Sequence, residues 1–275
     1  MNSKLYHSKY QGRASLSDIE IPQSFVTRQE CEKVTYQNGF RRPHAEIEGW
    51  QRYSSTTAQG SIWLARDASG AWLLALDHAG VIAEIGIEAS DAAGPGLARF
   101  RFASLALLYG VMPRIYELSA SLPDAPLQEF LHHTKNLPTT TEAERLVVQR
   151  VGQNIFRERL IKYWRGRCPL TGIIDEPLLR ASHIKPWRDC ENDAERLDVH
   201  NGLLLSALWD AVFDGGLVTF GDDGIPVFSE NLSEQARARL HFDRPVDLTE
   251  KHRVFLEWHR TKVFDVKAPD APPAD

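Results

Sequence analysis

Four side chains between residues 181 and 216 have types and spacings suited to the hydrolysis of a phosphodiester. His183 ends one apolar run, Asn201 begins the next, and Asp210 and Asp214 follow four residues apart. Carboxylates at that spacing lie on one face of a helix and repel each other unless a cation lies between them. A hard divalent cation such as Mg²⁺ prefers oxygen ligands of this kind. An isolated pair is more often solvated, so the neighbouring His and Asn are what favour a metal site.

The elements that must position these side chains are short. LLRASHI (178–184) is strand-like up to His183, and Pro186 then takes the chain out of the strand. After a polar loop, LLLS (203–206) predicts a second strand. ALWDAVFD (207–214) predicts about two turns of helix, which a Gly-Gly pair ends. The predicted order is therefore strand, loop, strand, helix.

Three motifs occur in order between about 165 and 220: GRCPLTG, LLRASHIKPW and HNGLLLSALWDAVFDGGL. Together they resemble the HNH nuclease family, whose catalytic core is the ββα-metal finger. They look most like the restriction-endonuclease-like bacterial branch in which a single Cys-x-x-Thr-Gly precedes the finger and Asp replaces the final His. The helix before them, with TEAERLVVQRVGQ, is similar to the lead-in found in many such proteins.

The resemblance implies a role for each of the four side chains. His183 matches the general base, because a neutral imidazole can take a proton from water near neutral pH. Asn201 matches the residue whose amide braces the loop that carries the base. Asp210 stands at the final His position, which is a metal ligand. Asp214 stands one turn later, where some members place a further ligand; otherwise it caps the helix or binds a nearby basic side chain.

The implied cofactor is a divalent metal, Mg²⁺ with Mn²⁺ as the alternative. It would contact a non-bridging phosphate oxygen and the leaving 3′ oxygen, and the products would carry 5′-phosphate and 3′-hydroxyl ends. Many family members have Asp or His directly before the base, where this chain has Ser182. A hydroxyl is a weak ligand, so either waters complete the metal shell or Ser182 only shapes the strand.

A basic segment surrounds the first of these motifs, although the whole chain has a net charge of −5. Residues 145–188 contain ten Lys and Arg but only three Asp and Glu. From charge alone, a phosphate-binding surface and a solvated helix face are equally good interpretations. The candidates for nucleic-acid binding are Lys185, Arg188, Arg165, Arg167 and Arg180.

Composition limits the class of protein. The three cysteines, Cys31, Cys168 and Cys190, are far apart and form no Cys-x-x-Cys pair, so neither a disulfide scaffold nor a structural zinc is expected. No apolar stretch approaches 18 residues, and the first ten residues lack a signal-peptide core. A cytoplasmic protein without a membrane partner is expected.

The N-terminal part is predicted to contain an antiparallel meander at 34–88, followed by a helix. SIWLARD, AWLLALD and VIAEIGI are read as three strands, and LARFRFASLALLYGVMPRIYEL as a helix with a kink or end near Pro113. The tryptophans of this region, with nearby arginines, could recognise a base, but a place in the core is the favoured interpretation. The histidines His252 and His259, near the other end of the chain, are expected at the surface.

The predicted fold class is α+β, with an N-terminal meander-plus-helix domain and a C-terminal helical domain that carries the ββα-metal finger. The expected division is an N-terminal domain at 1–120, of unknown role or DNA-reading, and a linker at 121–140. The HNH nuclease domain follows at 141–265, and a disordered tail at 266–275. A capping box, Thr141 with a carboxylate three residues later, predicts the start of the long helix.

The function expected from the resemblance is a metal-dependent DNA endonuclease of restriction or defence type. Two alternatives stay open: a DNA-binding module that keeps the finger without catalysis, and an RNA-cleaving effector. A homodimer is plausible because cleavage of both strands usually requires two active sites.

Overall fold

A computed structural model describes residues 19–265 of the chain, so the predicted disordered tail at 266–275 lies outside the described residues. The chain divides into two compact units, one up to Tyr116 and the other from Glu117 onward. The described part is mixed α+β with an antiparallel N-terminal sheet, as the sequence predicts. Within residues 19–265, every helix is too short or too polar to cross a membrane.

The first unit contains a five-stranded antiparallel sheet in which consecutive strands are neighbours. Its elements in chain order are α1 (Phe25–Gln37), β1 (Arg42–Pro43), β2 (Gln51–Ser54), β3 (Ser61–Arg66), β4 (Trp72–Leu76), α2 (Ala79–Glu84), β5 (Ala98–Phe102) and the part of α3 (Leu105–Ser121) up to Tyr116. The meander is therefore present, and β3 and β4 coincide with two of the three predicted strands.

Two assignments in this region were wrong. The apolar run VIAEIGI begins inside helix α2, where His78 caps the helix by accepting a hydrogen bond from the Val81 amide at 3.3 Å. The fifth strand of the sheet, β5, comes from ARFRF, which was predicted to be helical. There Ala98, Phe100 and Phe102 are buried while the arginines between them are more exposed. This alternation with a period of two is the strand signal that the longer apolar run concealed.

The tryptophans of the sheet belong to its core, as the favoured interpretation held. Trp50, Trp63 and Trp72 are all buried. The guanidinium of Arg52 lies over the Trp63 ring at 5.5 Å and donates to the Ser61 hydroxyl. These arrangements complete the packing of the sheet and leave no tryptophan face available for a base.

The second unit carries the chemically interesting motifs. Its elements are α4 (Ala125–Thr134), α5 (Glu142–Tyr163), β6 (Leu179–His183), α6 (Asp193–Leu197), β7 (Gly202–Ser206), α7 (Ala207–Asp214), β8 (Val218–Phe220), β9 (Pro226–Phe228), α8 (Glu234–Arg237) and α9 (Glu250–Lys262). Strands β6 and β7 pair antiparallel, so that His183 lies opposite Gly202, and α7 follows directly.

The segment predicted as a linker, 121–140, contains helix α4. Phe130 of this helix is buried, and Glu129 forms an ion pair with the largely buried Arg159 of α5 at 2.5 Å. One of the prolines that suggested a linker, Pro126, lies in the first turn of α4, where its missing N–H is tolerated. Helix α4 thus packs against α5 as part of the second unit.

Helix α5 begins at the predicted capping box and supports the strand pair. The Thr141 hydroxyl accepts from the Glu144 amide, and the Glu144 carboxylate accepts from the Thr141 amide. Further along, Phe156 and Leu160 are buried against Gly202 of β7. A Cβ atom at that glycine would lie 2.5 Å from the Phe156 ring, so only glycine allows this close approach.

The substitution Gly202→Ala should lower the free energy of unfolding of the second unit by about 1–3 kcal/mol, because the added methyl group overlaps Phe156 and Leu160 in a packed core. Urea unfolding followed by circular dichroism would measure the change. Gly110→Ala is the control, since a Cβ there meets no atom within 4 Å and replaces a helical glycine. An unchanged midpoint for Gly202→Ala would contradict the packing described.

Candidate active site

A cavity of about 340 Å³ opens beside the end of β6. Side chains from three separate parts of the second unit line it. They include Ser182, His183, Trp187, Arg188, Asp214 and His259. The cavity therefore brings together the predicted base, one predicted metal ligand and one predicted phosphate-binding arginine.

The His183 imidazole is held on three sides. Its ring stacks on Phe156, with centroids 3.7 Å apart and planes at 18°, and meets the Trp187 ring edge-on at 5.7 Å. Its Nε2 atom lies 2.9 Å from the backbone carbonyl oxygen of Arg196. Because a carbonyl oxygen can only accept, Nε2 carries the proton, and in the neutral ring Nδ1 holds the lone pair.

This environment keeps the imidazole neutral. Burial lowers the pKa of His183 from its ordinary 6.5 to about 4, and the hydrogen bond to the Arg196 carbonyl acts in the opposite direction. A ring that is uncharged near pH 7 has a lone pair to accept a proton, which is the state that a general base requires.

The Asn201 amide is fully buried and ties both ends of the β6–β7 loop together. Its Oδ1 accepts from the Lys185 amide at 2.8 Å. Its Nδ2 donates to the carbonyl oxygens of Lys185 at 3.1 Å and Glu195 at 3.2 Å. With its acceptor and both donors used inside the protein, this side chain has the geometry of a brace for the loop that begins at His183.

The two aspartates lie one turn apart on α7. Asp214 lines the cavity, and its Oδ1 accepts from the Ser182 hydroxyl at 3.2 Å. Burial raises the pKa of the Asp214 carboxyl, and the negative charge of Asp210 adds to the rise, while the Ser182 hydrogen bond opposes it. A bound cation would offset the unfavourable effect of the Asp210 charge on Asp214.

The donor set around these aspartates fits a hydrated divalent cation. No cluster of three or more His, Cys, Asp or Glu side chains that could hold a metal occurs between residues 19 and 265. Mg²⁺ is commonly bound through one or two carboxylates, with waters and substrate phosphate oxygens as the other ligands. Asp210 and Asp214 meet that smaller requirement, with Ser182 as a partner of Asp214.

Lys185 has a different place from the one predicted. Its side chain is only 9% exposed, and its Nζ forms an ion pair with Glu195 at 2.9 Å. Glu195 is also the main cause that raises the pKa of the lysine. Lys185 is therefore an internal anchor of the loop rather than an exposed ligand for phosphate.

The four predicted arginines are exposed. Arg188 lies at the cavity with 86% of its side chain exposed. Arg165 is 3.4 Å from Glu117, and Arg180 donates to the backbone carbonyls of residues 177 and 179. Arg167 is also at the surface. Of this group, only Arg188 lines the cavity with His183 and Asp214.

His259 was expected at the surface, but it is buried and lines the cavity. Its Nε2 donates to the Phe213 carbonyl at 3.2 Å, its Nδ1 accepts from the Thr219 hydroxyl at 3.0 Å, and its ring stacks on Phe213. Burial lowers its pKa to about 4. The feature of the sequence that could have indicated its burial is the spacing of seven residues from His252, which places both histidines on the same buried face of α9.

The comparison with protein families agrees with this geometry. The family model described as HNH endonuclease matches residues 168–221, a span that includes β6, β7 and α7. No curated protein matches the chain. The match includes His183, Asn201, Asp210 and Asp214, and it confirms the resemblance seen in the motifs. Over residues 168–221 the chain is therefore similar to HNH endonucleases.

Proposed function

We propose that this protein is a metal-dependent endonuclease that hydrolyses DNA phosphodiester bonds and leaves 5′-phosphate and 3′-hydroxyl ends. The observation that carries the proposal is a single cavity lined by the neutral imidazole of His183 and the carboxylate of Asp214. Proton acceptance and cation binding are the two capacities that hydrolysis of a phosphodiester requires.

His183 would act as the general base. Its Nε2–H is engaged by the Arg196 carbonyl, so Nδ1 is the atom that accepts a proton from the attacking water. The stacked Phe156 ring and the edge of Trp187 restrict rotation of the imidazole. Asn201 contributes by keeping the loop after His183 in place, and it takes no part in proton transfer.

Asp210 and Asp214 would hold the divalent cation, Mg²⁺ or Mn²⁺. When bound, the cation supplies Lewis-acid stabilisation of the charge that develops on the phosphate and leaving oxygens. Ser182 keeps one Asp214 oxygen oriented through its hydroxyl. The other Asp214 oxygen and the Asp210 carboxylate remain for the cation.

DNA would be held mainly through its phosphates. Arg188 borders the cavity, and Arg165, Arg167 and Arg180 add exposed positive charge elsewhere on the unit. Phosphate contacts position a nucleic acid without reading its sequence, so the specificity of a restriction or defence enzyme would come from another part of the chain, such as residues 1–120. A homodimer would supply a second site for the other strand.

A non-catalytic DNA-binding module is the second candidate. It is favoured by Ser182, which stands where many family members carry a metal ligand, and by the small number of ligands around α7 among the described residues. This candidate predicts DNA binding that persists in EDTA and no cleavage. An RNA-cleaving effector would be recognised by comparing duplex DNA, single-stranded DNA and RNA as substrates.

Replacing the base should abolish cleavage. His183→Ala is expected to slow the nicking of supercoiled plasmid in Mg²⁺ or Mn²⁺ by about 10²–10⁴-fold, the usual contribution of a general base. Plasmids with and without modified cytosine would be compared in agarose gels. His132→Ala, an exposed histidine of α4, is the control and should cut like the wild type.

Two results would overturn the assignment of the base or of the activity. Equal cleavage by His183→Ala and the wild type would remove His183 from its role. If the wild type and His183→Ala both bind plasmid and neither cuts it, the non-catalytic candidate is correct.

Asp210→Asn should raise the stability of the metal-free protein and lower its activity. The substitution removes one of two like charges, so the metal-free protein should gain about 0.2–0.5 kcal/mol of unfolding free energy. Nicking should fall at least tenfold, and Mg²⁺ should no longer raise the melting temperature as it does for the wild type. Calorimetry with and without Mg²⁺ would measure this, with the exposed Asp243→Asn as control. A variant that keeps both the Mg²⁺-induced shift and the activity would exclude Asp210 as a ligand.

The pH dependence should reflect the low pKa of His183. Because the folded protein protonates this imidazole only near pH 4, the base stays available down to about pH 5. Since the unfolded chain takes up that proton near pH 6.5, the stability due to the neutral ring is present above pH 6.5 and lost as pH falls toward 4. An NMR titration of the His183 ring would test this, and a midpoint near 6.5 would refute it.

A further inference from the structure

The base and the brace are bound to consecutive carbonyls of one short helix. The Glu195 carbonyl of α6 accepts from Asn201, and the Arg196 carbonyl accepts from His183. The last carbonyls of a helix have no intrahelical amide partner, and α6 has only five residues. Side chains of the site satisfy these two, so the placement of α6 decides the orientation of both.

A helix of five residues is too short to be stable by itself, so contacts with other residues must fix its position. Asn192 caps its start by accepting from the Glu195 amide, and Lys185 is paired with the Glu195 carboxylate. The Glu195 carboxylate also accepts from the Glu191 amide at 2.6 Å, but none of these contacts joins the helix to residues 187–190. That connection is made by the side chain of Arg196.

The Arg196 guanidinium binds two backbone carbonyls of the loop between β6 and α6 and one carboxylate in the first turn of α6. It donates from Nε to the Trp187 carbonyl at 3.2 Å and from Nη2 to the Cys190 carbonyl at 3.0 Å. From Nη1 it donates to the Asp193 carboxylate at 2.8 Å. The group also lies over the Trp187 ring at 5.8 Å, and the edge of that ring meets His183.

We propose that Arg196 is a positioning residue for the general base: its guanidinium fixes the loop, and its own backbone carbonyl thereby fixes the tautomer and orientation of the His183 imidazole. The catalytic consequence rests on the function proposed above. The structural claim, that the Arg196 side chain determines which imidazole nitrogen carries the proton, stands apart from whether DNA is cut.

Only arginine has the geometry for this task. Its planar group offers donors in several fixed directions, whereas a lysine ammonium is one compact charge on a flexible chain. Arg196→Lys would keep the charge and the ion pair with Asp193 but lose at least one of the two bonds to loop carbonyls. The Arg196 carbonyl would then no longer be held at His183 Nε2.

The first experiment measures the His183 tautomer by long-range ¹H–¹⁵N NMR of the metal-free protein, with signals assigned by comparison with His183→Ala. The wild type should show a protonated Nε2 and an unprotonated Nδ1. In Arg196→Lys the two nitrogen shifts should move toward each other, as expected for a mixture of tautomers. A wild type with the proton on Nδ1 would overturn the proposal before any variant is made.

The second experiment measures plasmid nicking. In Arg196→Lys, kcat should fall about 10- to 100-fold, as for a displaced reacting group, with KM changed less than about twofold. Arg260→Lys is a matched control, because Arg260 also donates to a backbone carbonyl and to an aspartate, and its side chain is 29% exposed against 24% for Arg196. Arg260→Lys should lower the melting temperature without changing kcat or the His183 signals.

The outcomes separate the two proposals. Unchanged His183 shifts in a folded Arg196→Lys would reduce Arg196 to a structural role. If that variant does not fold, Asp193→Ala removes only one of the three anchors and should move the shifts less, in the same direction; no movement would overturn the proposal. A wild type that shows the expected tautomer but cuts no nucleic acid would refute the proposed function alone.

Discussion

The second unit depends on the contact between Phe156 of α5 and the β6–β7 strand pair. The ring fits against Gly202 because glycine has no side chain, and it stacks on His183, which lies opposite that glycine in the sheet. This contact buries the imidazole and so lowers its pKa to about 4. Removal of a polar ring from water is unfavourable unless it gains a hydrogen bond, and the Arg196 carbonyl supplies one.

The loop between the strands is held by buried polar groups rather than by apolar packing. Asn201 bonds to backbone at both ends of the loop, and the Lys185–Glu195 ion pair and the Arg196 guanidinium fix α6 within it. In a weakly polar interior, a satisfied network of this kind permits one arrangement and penalises others. Lys185 is buried because it belongs to this network through Glu195, while Arg188 of the same loop is outside the network and remains exposed at the cavity.

Helix α7 differs from this loop, because two like charges lie one turn apart on it. Burial disfavours the charge of Asp214, and the negative charge of Asp210 disfavours it further. The Ser182 hydroxyl and the buried His259, which bonds to the carbonyl of the residue before Asp214, hold the end of the helix in place. Under the proposed function this pair of carboxylates would hold the cation, and the bonds made by Ser182 and His259 would keep the end of the helix in place before the cation binds.

Local patterns in the sequence determined the order of strand, loop, strand and helix around His183 and Asn201, the start of α5 at Thr141, and the one-face placement of Asp210 and Asp214. Each depends on residues within a few positions of one another, through periodicity, capping or helical spacing. Only the tertiary structure decided that VIAEIGI begins in a helix, that ARFRF forms a strand, that Lys185 is internal, that His259 lines the cavity and that the Arg196 carbonyl meets His183. Those outcomes depend on which distant segments bury a side chain or accept its hydrogen bond, and such partners leave no regular spacing in the sequence.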